Sequence, residues 1–241
     1  MKADLIKYLR KIKQKSPQFR ASSWSSLSLT EPPPSQRCRR LSELAYRQQQ
    51  VPINELIKEG LAREIGKKDN SSGRIPMVYD LVPTAGYFIG VNPEMNCLAL
   101  AASDFAGNLI TEKTRVPYVY ENSPENLEEI SRIINEFIEN LPVSREEILQ
   151  VCVNVAERVN PVQGNAYNMF TFLKESLTDK LAQLIQLPVC IENDTRSMAF
   201  AELIKGQCKG LKDAIFVNVC WGIGIGIIID GNLYYGKSGY S

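Results

Sequence analysis

The chain has 241 residues, 44% of them hydrophobic and 23% charged, with a formal net charge of +1. This balance is typical of a globular protein. No apolar run reaches the length of a membrane span and the charged N-terminus lacks a signal-peptide core, so we expect a cytoplasmic protein with no membrane partner. Histidine is absent and no C-x-x-C pair occurs, which removes the commonest neutral-pH base and the usual zinc ligands; neither a metal nor a cofactor is expected.

The N-terminal fifth of the chain is strongly basic. Residues 1–50 carry eleven Lys/Arg and three Asp/Glu, whereas the remainder carries seventeen and twenty-four. Such a division fits either a segment that faces nucleic acid or a solvated basic tail. Apolar positions at helical spacing predict a first helix over residues 3–13. Residues 16–50, which are rich in Ser, Pro, Arg and Gln, lack periodicity and are expected to be poorly structured.

A helix followed by a hairpin is predicted next. The segment VPINELIKEG has Pro52 in its first turn and Gly60 at the position of a left-handed cap. Residues 61–65 and 75–81 alternate as two short strands around the polar loop GKKDNSSGR. Basic residues in and beside this loop are candidates for contacts with a DNA backbone, namely Lys67, Lys68 and Arg74.

From Gly86 onward the pattern is that of an α/β protein. The segments YFIGV, NCLALAASDF and NLITEKTRVPY predict three successive strands joined as a meander. Helices are then predicted at residues 124–140, at about 171–185 and at 197–204, with strands at 148–155 and 189–193 between them. The glycine-rich run IFVNVCWGIGIGIIIDGNLYYG predicts a closing hairpin. This alternation of helices and strands predicts the α/β class.

Asn193 and Asp194 lie where the apolar strand VCIEN stops and a helical pattern begins. Open α/β folds place ligand-binding groups at this position, because the carboxyl ends of strands border a crevice. Two interpretations are open at this point. Either the pair contacts a ligand, or Asn193 and Asp194 only cap the helix that follows, with Asp194 as the candidate N-cap.

Both halves of this pattern resemble one family. ELIKEGLAREIG followed by SSGRIPMVYDLVPTAGYFIGV is similar to the winged helix-turn-helix and linker of ROK (repressor, open reading frame, kinase) transcriptional regulators. The elements after residue 86 resemble the actin-like ATPase (ribonuclease H-like) lobe of that family. The resemblance implies a partial winged helix-turn-helix in residues 1–85, a first lobe in 86–195 and the start of a second lobe in 196–241.

The resemblance fails upstream of the wing. Family members have two further helices where this chain has residues 16–50, and the second of them reads DNA. Pro52 cannot continue a helix from before it. We therefore expect a degraded DNA-reading surface, so that DNA is a partner in the family but is not expected to bind this chain.

The resemblance also implies that two phosphate loops are degenerate. ROK kinases have Asp-x-Gly-Gly-Thr after the first strand, where this chain has Asn92-Pro93-Glu94-Met95-Asn96. Glu94 is either a displaced acid or an exposed turn residue. The second loop, Gly-Thr-Gly in kinases, matches Cys220-Trp221-Gly222 and is followed by Gly224. The Trp221 indole is expected to lie where a nucleotide phosphate would approach.

The sugar side of the family site is retained. Glu192-Asn193-Asp194 matches the sugar motif, with Asp194 at the position of the kinase general base, and Asn168 matches an Asn that contacts the sugar. Glu157-Arg158-Val159-Asn160 replaces a glycine-containing loop at one wall. The resemblance therefore implies a sugar-responsive regulator of the repressor type that senses a sugar or sugar phosphate without phosphorylating it. The alternatives are an ATP-dependent hexose kinase and an inactive remnant.

The last residues, SGYS, precede the position of a family Gly-Glu-x-Gly-His element. A shortened second lobe is expected, with apolar surface exposed on the hairpin of residues 215–235. The full-length form is expected to be a homo-oligomer.

Overall fold

The computed structural model describes residues 53–67, 77–160, 163–220, 222–236 and 239. The chain divides into two compact units, one within Met1–Ala85 and Phe105–Asn108, the other comprising Gly86–Asp104 and Leu109–Ser241. The predicted helix at 3–13, the segment 16–50, and Lys68 and Arg74 lie outside the described residues. The division into 1–85, 86–195 and 196–241 stays a prediction.

The small unit contains a helix and an antiparallel strand pair. Helix α1 spans Ile53–Lys58, and strands β1 (Ala62–Lys67) and β2 (Met77–Leu81) pair with each other. Gly60 has a φ of 73°, and the Leu61 N–H donates to the Leu56 carbonyl at 2.8 Å. This is the left-handed helix ending that the sequence predicts, because glycine adopts positive φ at little cost. Lys67 is the last residue of β1.

The large unit is built on a five-stranded sheet with the order β5-β4-β3-β6-β9. Its strands are β3 (Tyr87–Pro93), β4 (Cys97–Asp104), β5 (Leu109–Pro117), β6 (Ile148–Val155) and β9 (Val189–Asn193). The first three form the predicted meander, and β3, β6 and β9 are parallel. A short pair, β7 (Val159–Asn160) and β8 (Asn165–Ala166), follows β6. The predicted α/β class is confirmed.

Two helices complete the core of this sheet. Helix α2 spans Pro124–Glu139, and its apolar stripe is buried with the sheet residues, namely Leu127, Ile130, Ile133, Ile134, Phe137 and Ile138. Ser123 caps its first turn by accepting from the Asn126 N–H, and the Tyr118 hydroxyl donates to Asn126 Oδ1 at 2.7 Å. Helix α3 spans Leu177–Ile185. The predicted start near residue 171 is wrong, because the Ser176 side chain accepts from the Asp179 N–H and caps the helix there.

A second sheet follows the five-stranded one in the chain. Helix α4 (Asp194–Lys205) leads to strands β10 (Ala214–Val219), β11 (Ile223–Ile229) and β12 (Asn232–Leu233), which form an antiparallel sheet. The helical segment predicted over residues 197–204 lies within α4. Alternate residues of β10 and β11 are exposed and apolar; Ile215, Val219 and Ile223 are 70%, 74% and 76% exposed. The apolar surface expected on this hairpin is present.

Within the described ranges, no helix is long and apolar enough to cross a membrane.

Candidate functional site

The candidate site lies at the carboxyl ends of the parallel strands. Strands β3, β6 and β9 end at Pro93, Val155 and Asn193, and α4 begins directly after β9. Side chains that follow parallel strands meet at one edge of the sheet, which is where open α/β folds bind ligands. Most of the residues singled out in the sequence are found along this edge.

Asn193 is the N-cap of α4. Its Oδ1 accepts from the Arg196 N–H at 2.9 Å, and its Nδ2 donates to the Glu157 carbonyl at 3.1 Å and to Asp194 Oδ1 at 3.0 Å. The capping interpretation is therefore confirmed for Asn193, whereas Asp194 is the first helical residue and not the N-cap. Asn193 takes that role because its extended backbone (φ −68°, ψ 137°) directs the amide oxygen at the first turn.

Asp194 is the first residue of α4 and is half-buried. Its Oδ1 accepts from the Thr195 N–H at 2.6 Å, from the Thr195 hydroxyl at 3.3 Å and from Asn193 Nδ2. The helix dipole favours a carboxylate at this position. Among the described residues no donor reaches Oδ2, so one oxygen of this fixed carboxylate is open to a ligand.

Glu192 is held by an ion pair with Arg196. Its Oε1 accepts from Arg196 Nε at 2.8 Å and Nη2 at 2.6 Å, and from the Asn193 N–H at 2.8 Å. The Arg196 guanidinium also donates to the carbonyls of Gly239 at 2.8 Å and Val159 at 3.2 Å. It lies 5.1 Å from the centroid of the Tyr235 ring. In this arrangement Glu192 positions the motif.

Sequence reasoning missed Arg196. Its side chain is 1% exposed, and it links the end of β9, strand β7 and Gly239. A guanidinium is buried only when its donors are matched. The available signal was its spacing, four residues after Glu192 and across the junction of β9 with α4.

Asn168 lies near this motif through Glu157. The Asn168 N–H donates to Glu157 Oε2 at 2.7 Å, while the Glu157 carbonyl accepts from Asn193. The Asn168 residue is exposed. The structure thus brings Asn168, Asn193 and Asp194 to one region, as a shared ligand site requires.

The stretch that replaces the first phosphate loop is occupied by internal contacts. Asn92 Oδ1 accepts from Asn154 Nδ2 at 3.2 Å, and the Ser197 hydroxyl donates to Asn154 Oδ1 at 2.7 Å. The Glu94 N–H donates to the Cys97 carbonyl at 2.8 Å, which supports a turn residue and not a displaced acid. Pro93 offers no N–H. These residues do not fit a magnesium–nucleotide group.

The glycines of the β10–β11 hairpin have a packing role. A Cβ atom on Gly224 would lie closer than 3.0 Å to the Thr195 side chain, and one on Gly226 equally close to the Ala199 side chain. Close packing of β11 on α4 therefore accounts for both glycines. Gly222 is exposed, with nothing within 4 Å of such a Cβ. Trp221 lies outside the described residues, so its expected obstruction of a phosphate stays a prediction.

Known proteins resemble this chain in sequence and in fold. The chain is 29% identical to the xylose repressor of Bacillus subtilis (strain 168) over 191 residues, covering 78% of this chain and 49% of the repressor. It spans about half the length of the curated relatives it matches.

Solved structures agree on the fold. One is a ROK family transcriptional regulator described as a homolog of the Escherichia coli MLC protein, with a TM-score of 0.60, 20% identity and coverage of 78% of this chain and 48% of that one. Another is a ROK family glucokinase from Streptomyces griseus in complex with glucose and AMPPNP, with a TM-score of 0.54, 25% identity and coverage of 64% and 48%. A sequence model of the ROK family matches residues 73–241. The chain belongs to the ROK family, and its large unit has the family's actin-like α/β fold.

Proposed function

We propose that this chain is the sugar-sensing part of a ROK transcriptional regulator of the repressor type. In this proposal it binds a sugar or sugar phosphate and does not phosphorylate it. The observation that carries the proposal is the contrast along one sheet edge. Asn193 and Asp194 keep the family's sugar motif, while the Asn92 region has lost the groups that would hold a phosphate. The cytoplasmic location expected from the sequence is part of the proposal.

Asp194 is the centre of the proposed sugar contact. Its Oδ1 is fixed by three donors, which leaves Oδ2 aligned as an acceptor for a sugar hydroxyl. The exposed Asn168 amide offers a donor and an acceptor nearby. Paired donors and acceptors of this kind orient a hydroxylated ring.

The second candidate function is an ATP-dependent hexose kinase. It is favoured by the similarity to the glucokinase structure and by Asp194 at the position of the family's general base. Phosphoryl transfer, however, depends on groups that position and neutralise the phosphates. Asn92, whose side chain is hydrogen-bonded to Asn154, and Pro93, which has no N–H, do not supply such groups. We therefore propose recognition without catalysis.

Thermal unfolding with added sugars tests the proposed contact. A sugar that binds the folded chain raises its unfolding temperature by mass action. Asp194→Asn should abolish that rise, because it exchanges an anionic acceptor for an amide. Asp179→Asn is the matched control, since Asp179 lies in the first turn of α3 and carries the same helix-dipole interaction. Sugar-dependent stabilisation that survives Asp194→Asn would contradict the assigned contact.

DNA is the proposed partner of the complete regulator and not of this chain. The family resemblance implies that operators are read through helices whose place residues 16–50 take here. Operator-like duplexes at physiological salt should therefore show no sequence-selective binding to the purified chain. Sequence-selective binding would refute the expectation of a degraded DNA-reading surface.

A further inference from the structure

We infer that Glu157 is a specificity-determining residue of this site, which accepts a hydroxyl of the effector and selects an uncharged sugar over the corresponding sugar phosphate. The inference rests on the proposed function and deepens it by naming the ligand class. Glu157 stands in the stretch that replaces the family's glycine-containing loop.

Glu157 is fixed by two neighbours of the site. Its Oε2 accepts from the Asn168 N–H at 2.7 Å, and its carbonyl accepts from Asn193 Nδ2 at 3.1 Å. The same Asn193 nitrogen donates to Asp194 Oδ1. One amide group therefore bridges the Glu157 backbone and the Asp194 carboxylate, which brings the two residues to the same part of the site.

Among the described residues, no donor reaches the other oxygen of this carboxylate. Glu157 Oε1 is buried and accepts no hydrogen bond. A buried acceptor without a donor is unfavourable, and buried polar groups in folded proteins are nearly always matched. A carboxylate oxygen can only accept, so the group that completes it must bring a hydrogen. A sugar hydroxyl at the neighbouring Asp194 meets this requirement.

The charges around Glu157 distinguish a sugar from its phosphate. The unmatched acceptors of Glu157 and Asp194 both belong to carboxylates, whereas the Glu192 carboxylate is neutralised by Arg196. Among the described residues, the Arg196 guanidinium contacts Glu192, Gly239, Val159 and Tyr235, all within the protein. Arg158, next in the loop, is exposed and lies over the Tyr167 ring at 6.0 Å, where solvent screens its charge. A phosphate group would thus face like charges, and a neutral ring would not.

Calorimetric titration of the full chain tests this inference, with D-glucose, D-xylose and D-glucose 6-phosphate as probes. Wild type should bind a neutral sugar at least tenfold more tightly than the phosphate. Glu157→Gln should weaken binding of the neutral sugar at least tenfold and reduce the selectivity by a similar factor. Glu139→Gln, which neutralises an exposed carboxylate at the end of α2, should change neither quantity.

The unliganded proteins provide a second readout. Glu157→Gln removes an unmatched buried charge and retains an oxygen for the Asn168 N–H, so its unfolding temperature should equal or exceed that of wild type. A purely structural Glu157 would instead lose stability on this change, and that result would overturn the inference. Unchanged selectivity in Glu157→Gln, or tighter binding of the sugar phosphate by wild type, would overturn this inference and leave the proposed function standing. No binding of any sugar by wild type would overturn the proposed function as well.

Discussion

Replacing Arg196 by methionine should cost far more stability than the same change at Arg132. Each arginine pairs with a glutamate four residues away, Arg196 with Glu192 and Arg132 with Glu136. The surroundings differ. The Arg196 and Glu192 side chains are 1% and 16% exposed, whereas those of Arg132 and Glu136 are 59% and 54% exposed.

The magnitudes follow from this difference in burial. Removing one partner of a buried ion pair costs about 3–5 kcal/mol, because the other charge is left uncompensated. Arg196→Met also removes donors from the carbonyls of Val159 and Gly239. An exposed pair at this spacing contributes only about 0.3–0.5 kcal/mol. We expect a difference of at least about 3 kcal/mol between the two variants.

Urea unfolding followed by circular dichroism measures this difference. The double variant Glu192→Gln/Arg196→Met should regain part of the loss, since it no longer contains an uncompensated carboxylate. Variants Arg196→Met and Arg132→Met that agree within about 1 kcal/mol would refute the argument that Arg196 holds the site together.

Three further predictions concern packing, pH and thiol reactivity. Gly226→Ala should lower the free energy of unfolding, measured with urea, by about 1–3 kcal/mol because the added methyl group overpacks the interface of β11 and α4. Gly222→Ala should leave it nearly unchanged, and equal losses in the two variants would contradict the packing role of Gly226. Burial raises the pKa of Tyr118 above its ordinary 10.0, so the stabilising contribution of the phenol is complete below that pH and is lost as the pH rises further. The free energy of unfolding of wild type should exceed that of Tyr118→Phe by about 1 kcal/mol at pH 7, and this difference should shrink above pH 10. A difference that stays constant above pH 10 would indicate an exposed phenol. The hydrogen bond between the Cys152 and Cys190 thiols, together with burial, raises the pKa of Cys152, whereas Cys220 is exposed. Mass spectrometry after brief iodoacetamide treatment should therefore find Cys220 labelled before Cys152, and the reverse order would contradict this assignment.

Periodic segments were predictable from the sequence. The meander, α2 and the β10–β11 hairpin are long and have strong hydrophobic patterns, and their observed bounds differ little from the predicted ones. Helix starts were less predictable because they depend on which polar side chain reaches the first turn. Ser176 and Asn193 do so here, although the sequence placed the start of α3 near residue 171 and offered Asp194 as the cap of α4.

The site itself was predictable only in part. The sequence motif identified Asn193 and Asp194, which are close together in any fold because they are consecutive. Arg196 and Glu157 act through contacts with residues up to 43 positions away, Arg196 with Gly239 and Glu157 with Asn193. Such contacts follow from the tertiary arrangement of loops and leave no periodic pattern in the sequence. The packing role of Gly224 was missed for the same reason.

A single calorimetric titration tests the central claim, that the chain recognises a sugar without phosphorylating it. D-glucose or D-xylose is titrated into the chain in the presence of ATP and magnesium. The account predicts saturable binding heats that return to baseline after each injection and vanish in Asp194→Asn. A sustained heat signal after each injection, proportional to chain concentration and lost in Asp194→Asn, would show phosphoryl transfer and contradict the account.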